Sequence, residues 1–295
     1  MNDNHPFLKQ IQNQVLISDG ATGTNLQKRG LPKGMPSDLW VFENPQAIIQ
    51  LHKDFITAGS NIILTDTFGG TRVRMAKSGL ANRVVELNQT AVGLARKAAE
   101  GTSTWVAGSI GPTGELLKPN GLLEETEARA AFAEQARALV DAGVDLLVVE
   151  TQFDLAEARI AVEAVRSVTS TLPLVCSFSY DRGTRTMMGV KPAQMAAELE
   201  SLGVNLLGIN CGRSLPDNFK ALQELRSATQ LPIWFKPNAG LPRTNENGES
   251  IYDITPEEMG SHVQEWIING AAIAGGCCGT SPEHLHQIAL HAKKD

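Results

Sequence analysis

Asp145-Leu-Leu-Val-Val-Glu150, Leu155–Ser170 and Leu174-Val-Cys-Ser-Phe-Ser179 decide the fold of this chain. The first and third runs are short, apolar and β-branched, as buried strands are. The segment between them has helical spacing. Together they read as one βαβ unit, and the pattern continues in both directions. Further strand candidates are Val15–Ser18, Asn61–Thr65, Trp105–Ser109, Asn205–Asn210, Ile233–Phe235 and Ala271–Ala274. Helical stretches lie at Pro45–Ala58, Ala81–Glu100, Glu125–Ala142, Pro192–Leu202, Pro216–Thr229, Thr255–Asn269 and Pro282–Lys293.

Strand alternating with helix predicts parallel βα units. An open doubly wound sheet uses the same alternation, but eight units close naturally into an α/β single (β/α)8 TIM barrel. Punctuation agrees with the segmentation. Gly143, Gly203 and Gly270 stand where helices should stop, and Thr255-Pro256 and Ser281-Pro282 each pair an N-cap with proline at the first helical position. Segments after strands are long and rich in Gly, Pro and Thr, as in Asp19–Pro36, Gly111–Glu124 and Pro237–Ile254, whereas segments before strands are short. Barrel active sites are built from the loops at the carboxyl ends of the strands, where this chain places its extra residues.

The chain has 295 residues, 42% of them hydrophobic, and a formal charge of −6. That length fits one barrel, so residues 1–295 are expected to form a single domain. A mildly acidic chain with scattered charges lacks the footprint of a nucleic-acid binder. Met1–Gln14 is polar and lacks the apolar centre of a signal peptide, and no apolar run approaches a membrane span. Four cysteines do not make a disulfide framework at this length. No membrane contact and a reducing cytoplasm are therefore expected.

Three of those cysteines sit at strand ends. Cys211 closes Gly208-Ile-Asn-Cys-Gly212, and Cys277 and Cys278 lie in Gly275-Gly-Cys-Cys-Gly279. In a barrel these are the ends of strands six and eight, about 10 Å apart across strand seven. Inward thiols from both can meet at one metal, with Zn–S bonds of about 2.3 Å. Adjacent strand residues face opposite ways, so the flanking glycines are needed to turn the backbone. Small buried core residues and a redox dithiol are the competing readings. Cys176, inside its strand, reads as core, and no histidine stands at a strand end. Three protein thiolates with an open fourth position suit the activation of a substrate thiol, because a metal-bound thiol is deprotonated outright. Alkyl transfer to that sulfur is the expected chemistry.

These motifs resemble the homocysteine S-methyltransferase family. The resemblance runs from Ser18-Asp-Gly-Ala-Thr-Gly-Thr24 to Gly275-Gly-Cys-Cys-Gly-Thr280 through Thr65-Asp-Thr-Phe68, Gly108-Ser-Ile-Gly-Pro-Thr-Gly114, Val149-Glu-Thr151, Gly208-Ile-Asn-Cys-Gly212 and Lys236-Pro-Asn-Ala-Gly240. It implies a Zn2+ cofactor on Cys211, Cys277 and Cys278, with Asn238 as a fourth ligand when substrate is absent. It implies that Asp19, Gly20, Glu150 and Asn210 hold homocysteine, with Asp19 and Glu150 as the catalytic carboxylates. Methylation of homocysteine to methionine would follow. The methyl donor is left open among S-methylmethionine, a methylated corrinoid protein or another. The Lys-Pro-Asn-Ala-Gly form looks more like the methionine-synthase and corrinoid-linked branch, for which a separate protein would deliver the methyl group. An aromatic cage is not evident, since Gly69 stands where the betaine-dependent members have tyrosine. Another thiol or selenol as acceptor, demethylation of a substrate onto a separate corrinoid protein, and a zinc-stabilised binding protein without turnover are the alternatives.

Overall fold

The computed structural model describes residues 4–244 and 250–293. Residues 245–249, in the loop expected after strand seven, and both chain ends lie outside the described residues. Eight parallel strands form one sheet: β1 (Leu16–Ile17), β2 (Ile62–Leu64), β3 (Trp105–Ile110), β4 (Leu146–Gln152), β5 (Leu174–Phe178), β6 (Leu206–Cys211), β7 (Ile233–Pro237) and, after a small hairpin, β10 (Ala271–Ala274). Their order is β1-β10-β7-β6-β5-β4-β3-β2. A parallel bridge between Ser18 and Ile62 joins the two ends, so the sheet closes on itself. This is the expected (β/α)8 barrel and not the open sheet.

The barrel interior is a packed core of Leu16, Ile62, Leu146, Val175, Leu206 and Trp234, among others. A second, larger apolar layer fills the space between the strands and the surrounding helices. A short helix, Pro6–Ile11, closes the amino-terminal end of the barrel; composition does not announce it. Its Phe7 meets Trp105 edge-on, with ring centroids 5.8 Å apart, and Gln10 accepts a hydrogen bond from the Trp105 indole at 2.8 Å. The plug fills the amino-terminal end of the barrel interior with Phe7, Leu8 and Ile11.

Two elements differ from the sequence reading in ways that matter. The helix expected over Thr255–Asn269 is two helices, Pro256–Ser261 and Val263–Ile268, broken after Gly260-Ser261, where helical preference is weak. Strand β7 runs two residues further than expected, through Lys236 and Pro237. That extension carries a lysine into the mouth. The hairpin β8 (Arg243–Thr244) and β9 (Ser250–Ile251) lies in the loop after β7. Among the described residues no helix is long and apolar enough to cross a membrane.

Candidate active site

Register fixes the level at which the thiols meet. Cys211 pairs with Pro237 across β6 and β7, and Phe235 pairs with Ala274 across β7 and β10. The chain then leaves β10 through Gly275 and Gly276 but stays bonded to β7, with Gly275 N–H to Phe235 O at 3.0 Å and Cys277 N–H to Pro237 O at 2.9 Å. Cys211 and Cys277 therefore flank Pro237. The backbone turns at once: Thr280 N–H returns to Cys277 O at 3.1 Å, and Gly279 takes φ +83°. A side chain at Gly279 would collide with the Tyr252 ring, 2.3 Å from its Cγ, so glycine is required twice over. The turn places both vicinal thiols on one side, as the glycine bracket led one to expect.

Cys211 takes φ +62°, a left-handed conformation that is rare outside glycine. Asn218 Nδ2 and Asn238 N–H both donate to its carbonyl, at 2.7 and 3.3 Å, and hold it there. The sulfurs of Cys211, Cys277 and Cys278 all lie within 4.8 Å of one another, and those of Cys211 and Cys278 are 3.7 Å apart. Tetrahedral coordination with bonds of about 2.3 Å spaces sulfurs by about 3.8 Å. The donor set thus fits a soft divalent metal. Contacts with Cys211 and Cys277 hold the Cys278 thiol well below its ordinary pKa, and contacts with Cys277 and Cys278 push Cys211 up. Cys176 lies apart, fully buried, with burial pushing its thiol above the usual range. All four cysteines are free thiols.

The thiols open onto a cavity of about 460 Å³, whose wall also includes Asp19, Gly20, Glu150 and Lys236. Glu150 is 8% exposed and accepts a 2.5 Å hydrogen bond from Ser109 Oγ. Burial pushes its carboxyl up to about 7, against the pull of the Lys236 ammonium. Asp19 is more deeply engaged. Its Oδ2 accepts from Leu64 N–H at 2.7 Å and its Oδ1 from Lys236 Nζ at 2.7 Å. Burial alone would lower the Lys236 ammonium; the Asp19 and Glu150 carboxylates outweigh it and raise it. A side chain at Gly20 would strike Leu285 and Thr280, at 2.7 and 2.8 Å, so packing against the last helix already demands glycine there.

The two asparagines singled out from sequence lie behind this wall. Asn210 is fully buried, with its amide occupied by protein groups. Asn238 donates to Gly212 O at 2.8 Å, while its buried Oδ1 has no hydrogen-bond partner among the described residues. Its backbone N–H bonds to Cys211 O, which ties this buried acceptor to the strand end that carries the first thiol.

Sequence reasoning missed three participants. Lys236 stands out in the sequence only as part of its motif, because its partner Asp19 lies 217 positions away. Ser109 gave no signal, because its role depends on the β3–β4 register, in which Ser109 lies beside Val148. Asp66, on the cavity wall, lies against Asp38, and Ser37 Oγ donates to it at 2.7 Å. Burial pushes both carboxyls up, Asp38 to about 6.

Comparison with known proteins agrees with this geometry. The chain is 28% identical to the methionine synthase of Mycobacterium leprae over 299 residues, which is 96% of this chain and 25% of that protein. It thus spans about a quarter of that relative's length. The metallated homocysteine methyltransferase MmuM of Escherichia coli superposes with a TM-score of 0.82 at 28% identity, covering 97% of this chain and 99% of that one. The carboxyl transferase domain of Rhizobium etli pyruvate carboxylase, at 13% identity and a TM-score of 0.55 over 97% of this chain and 49% of that one, shares the fold alone. A family model described as homocysteine S-methyltransferase matches residues 16–292, and the chain belongs to that family.

Proposed function

We propose that this protein is a zinc-dependent S-methyltransferase that moves a methyl group onto the sulfur of homocysteine to form methionine. The observation that carries the reading is a single cavity wall holding three thiols within 4.8 Å of one another together with a buried carboxylate, Glu150. When bound by Cys211, Cys277 and Cys278, zinc supplies the Lewis acidity that deprotonates a thiol near neutral pH. We assign the rest to the chain's own residues. Glu150 accepts the substrate ammonium, and Ser109 fixes the carboxylate by its hydrogen bond. Lys236 neutralises Asp19, so that Asp19 shapes the floor through Leu64 N–H without a free charge beside the thiols. Gly20 lets the wall next to Asp19 pack directly against Leu285 and Thr280. Asn238 Oδ1 is available as a fourth ligand in the absence of substrate.

In the reaction the thiol proton leaves, the sulfur lone pair forms the new S–CH3 bond, and the bond from methyl to donor breaks. The donor is S-methylmethionine, a methylated corrinoid protein or another methyl carrier. We take residues 1–295 as one homocysteine-binding domain working in the cytoplasm, where thiols remain reduced. The test is methionine formation by the zinc-loaded protein from homocysteine and each donor in turn. One productive donor supports the reading. No methionine from any donor, together with no binding of homocysteine, overturns it.

The raised Glu150 carboxyl gives a pH dependence with a defined sign. The ammonium requires the charged form, so below about pH 7 binding must first remove a proton from Glu150. Preference for homocysteine over 4-mercaptobutyrate, which carries the thiol without the amino group, should rise about tenfold between pH 6 and pH 8. Taking the ratio of the two affinities cancels the titration of the thiol itself. A ratio flat over this range would show that Glu150 does not meet the ammonium.

A further inference from the structure

Strands β4 and β5 lose register at the site. Val149 pairs with Cys176 and Gln152 with Phe178, so Glu150 and Thr151 together face Ser177 alone. This is a β-bulge, a device that re-aims a side chain. Thr151 takes φ +59° to make it, a conformation unfavourable for a β-branched residue. Something must hold the bulge, and the neighbouring strand supplies it.

Asn210 Oδ1 accepts from Thr151 N–H at 2.9 Å and from Ser177 Oγ at 2.6 Å. Its Nδ2 donates to Thr151 Oγ1 at 2.7 Å and reaches Cys277 Sγ at 3.9 Å. Both acceptor sites and both donor hydrogens of one buried amide are used. They join β4, β5 and the thiol turn after β10, and the next residue in the chain is Cys211.

We propose that Asn210 is a positioning residue that locks the β4 bulge and, through Cys277, fixes the distance between Glu150 and the thiol cluster. The chemical consequence is a gauge. The amino group and the sulfur of the substrate must be held at a set separation, and a rigid amide spans the protein groups assigned to each. This inference rests on the reading of Glu150 as the ammonium site, and its test separates the two.

Asn210→Asp keeps the size and both acceptor bonds but loses both N–H donors; the Thr151 hydroxyl can turn to donate to the carboxylate, whereas the contact to Cys277 has no such replacement. Its circular dichroism should match wild type, while zinc retention against a chromophoric chelator should fall about tenfold, the low end for a lost outer-shell partner. Asn210→Ala releases the bulge as well, and at saturating zinc its preference for homocysteine over 4-mercaptobutyrate should fall about tenfold. That loss should vanish when Asn210→Ala is made in a Glu150→Gln background, because both changes act on one contact. Wild-type zinc retention by Asn210→Asp, or an undiminished loss in the double variant, would overturn the assignment. If Asn210→Ala does not fold, Asn210→Asp carries the test. If wild type itself shows no preference for homocysteine, the substrate reading fails and zinc retention still decides the role of Asn210.

Discussion

Replacing Cys211, Cys277 or Cys278 by alanine should each remove bound zinc and all zinc-dependent methyl transfer, whereas Cys176→Ala should keep both. The three sulfurs converge within 4.8 Å at the cavity, while Cys176 is buried in β5. Loss of a direct ligand should cost more than the roughly 10–100-fold that a lost outer-shell partner costs. The vicinal pair makes the sharpest case. Cys278 Sγ lies 3.7 Å from Cys211 Sγ and within 4.8 Å of Cys277 Sγ, so its removal leaves two thiols, too few for the site. The fold should survive every substitution. The barrel interior and the layer beneath the helices are apolar and do not include Cys211, Cys277 or Cys278; Cys176 is one small member of the outer layer. Metal analysis with circular dichroism on the four variants checks this, and a Cys278→Ala protein that still holds one zinc per chain would refute the three-thiol site.

Glu150→Gln should weaken homocysteine binding about 30-fold or more and leave 4-mercaptobutyrate unaffected. The carboxylate is 8% exposed, so an ion pair formed there is only weakly screened. Truncating one partner of a buried charge pair costs about 2–5 kcal/mol. Gln keeps the shape and can still accept from Ser109, which places the loss near the lower end. Zinc content should stay at the wild-type value, since Glu150 is not one of the three ligands. Equal losses for both thiols, measured by calorimetry, would mean that Glu150 supports the rim and does not read the amino group.

The barrel was legible because its signals are local. Apolar runs, helical spacing and glycine stops recur along the chain, and β10 matches its expected bounds of Ala271–Ala274. The thiol triad was legible for the same reason, since each cysteine ends a run that reads as a strand. What stayed hidden depends on register between strands. The bulge at Glu150-Thr151 is invisible in sequence, because it exists only relative to β5. The Asp19–Lys236 pair joins residues 217 positions apart, and only closure of the barrel brings them together. Asn210 looked like a substrate contact from its motif, yet its side chain faces inward to β4 and β5. The plug Pro6–Ile11 was masked by its polar neighbours, although Phe7, Leu8 and Ile11 are all buried.

X-ray absorption at the zinc edge, without and with homocysteine, tests the central claim most directly. Three sulfur neighbours and one nitrogen or oxygen are expected in the free protein, and four sulfurs once homocysteine is added. Sulfur coordination that stays at three on saturation with homocysteine would contradict thiol activation at this site.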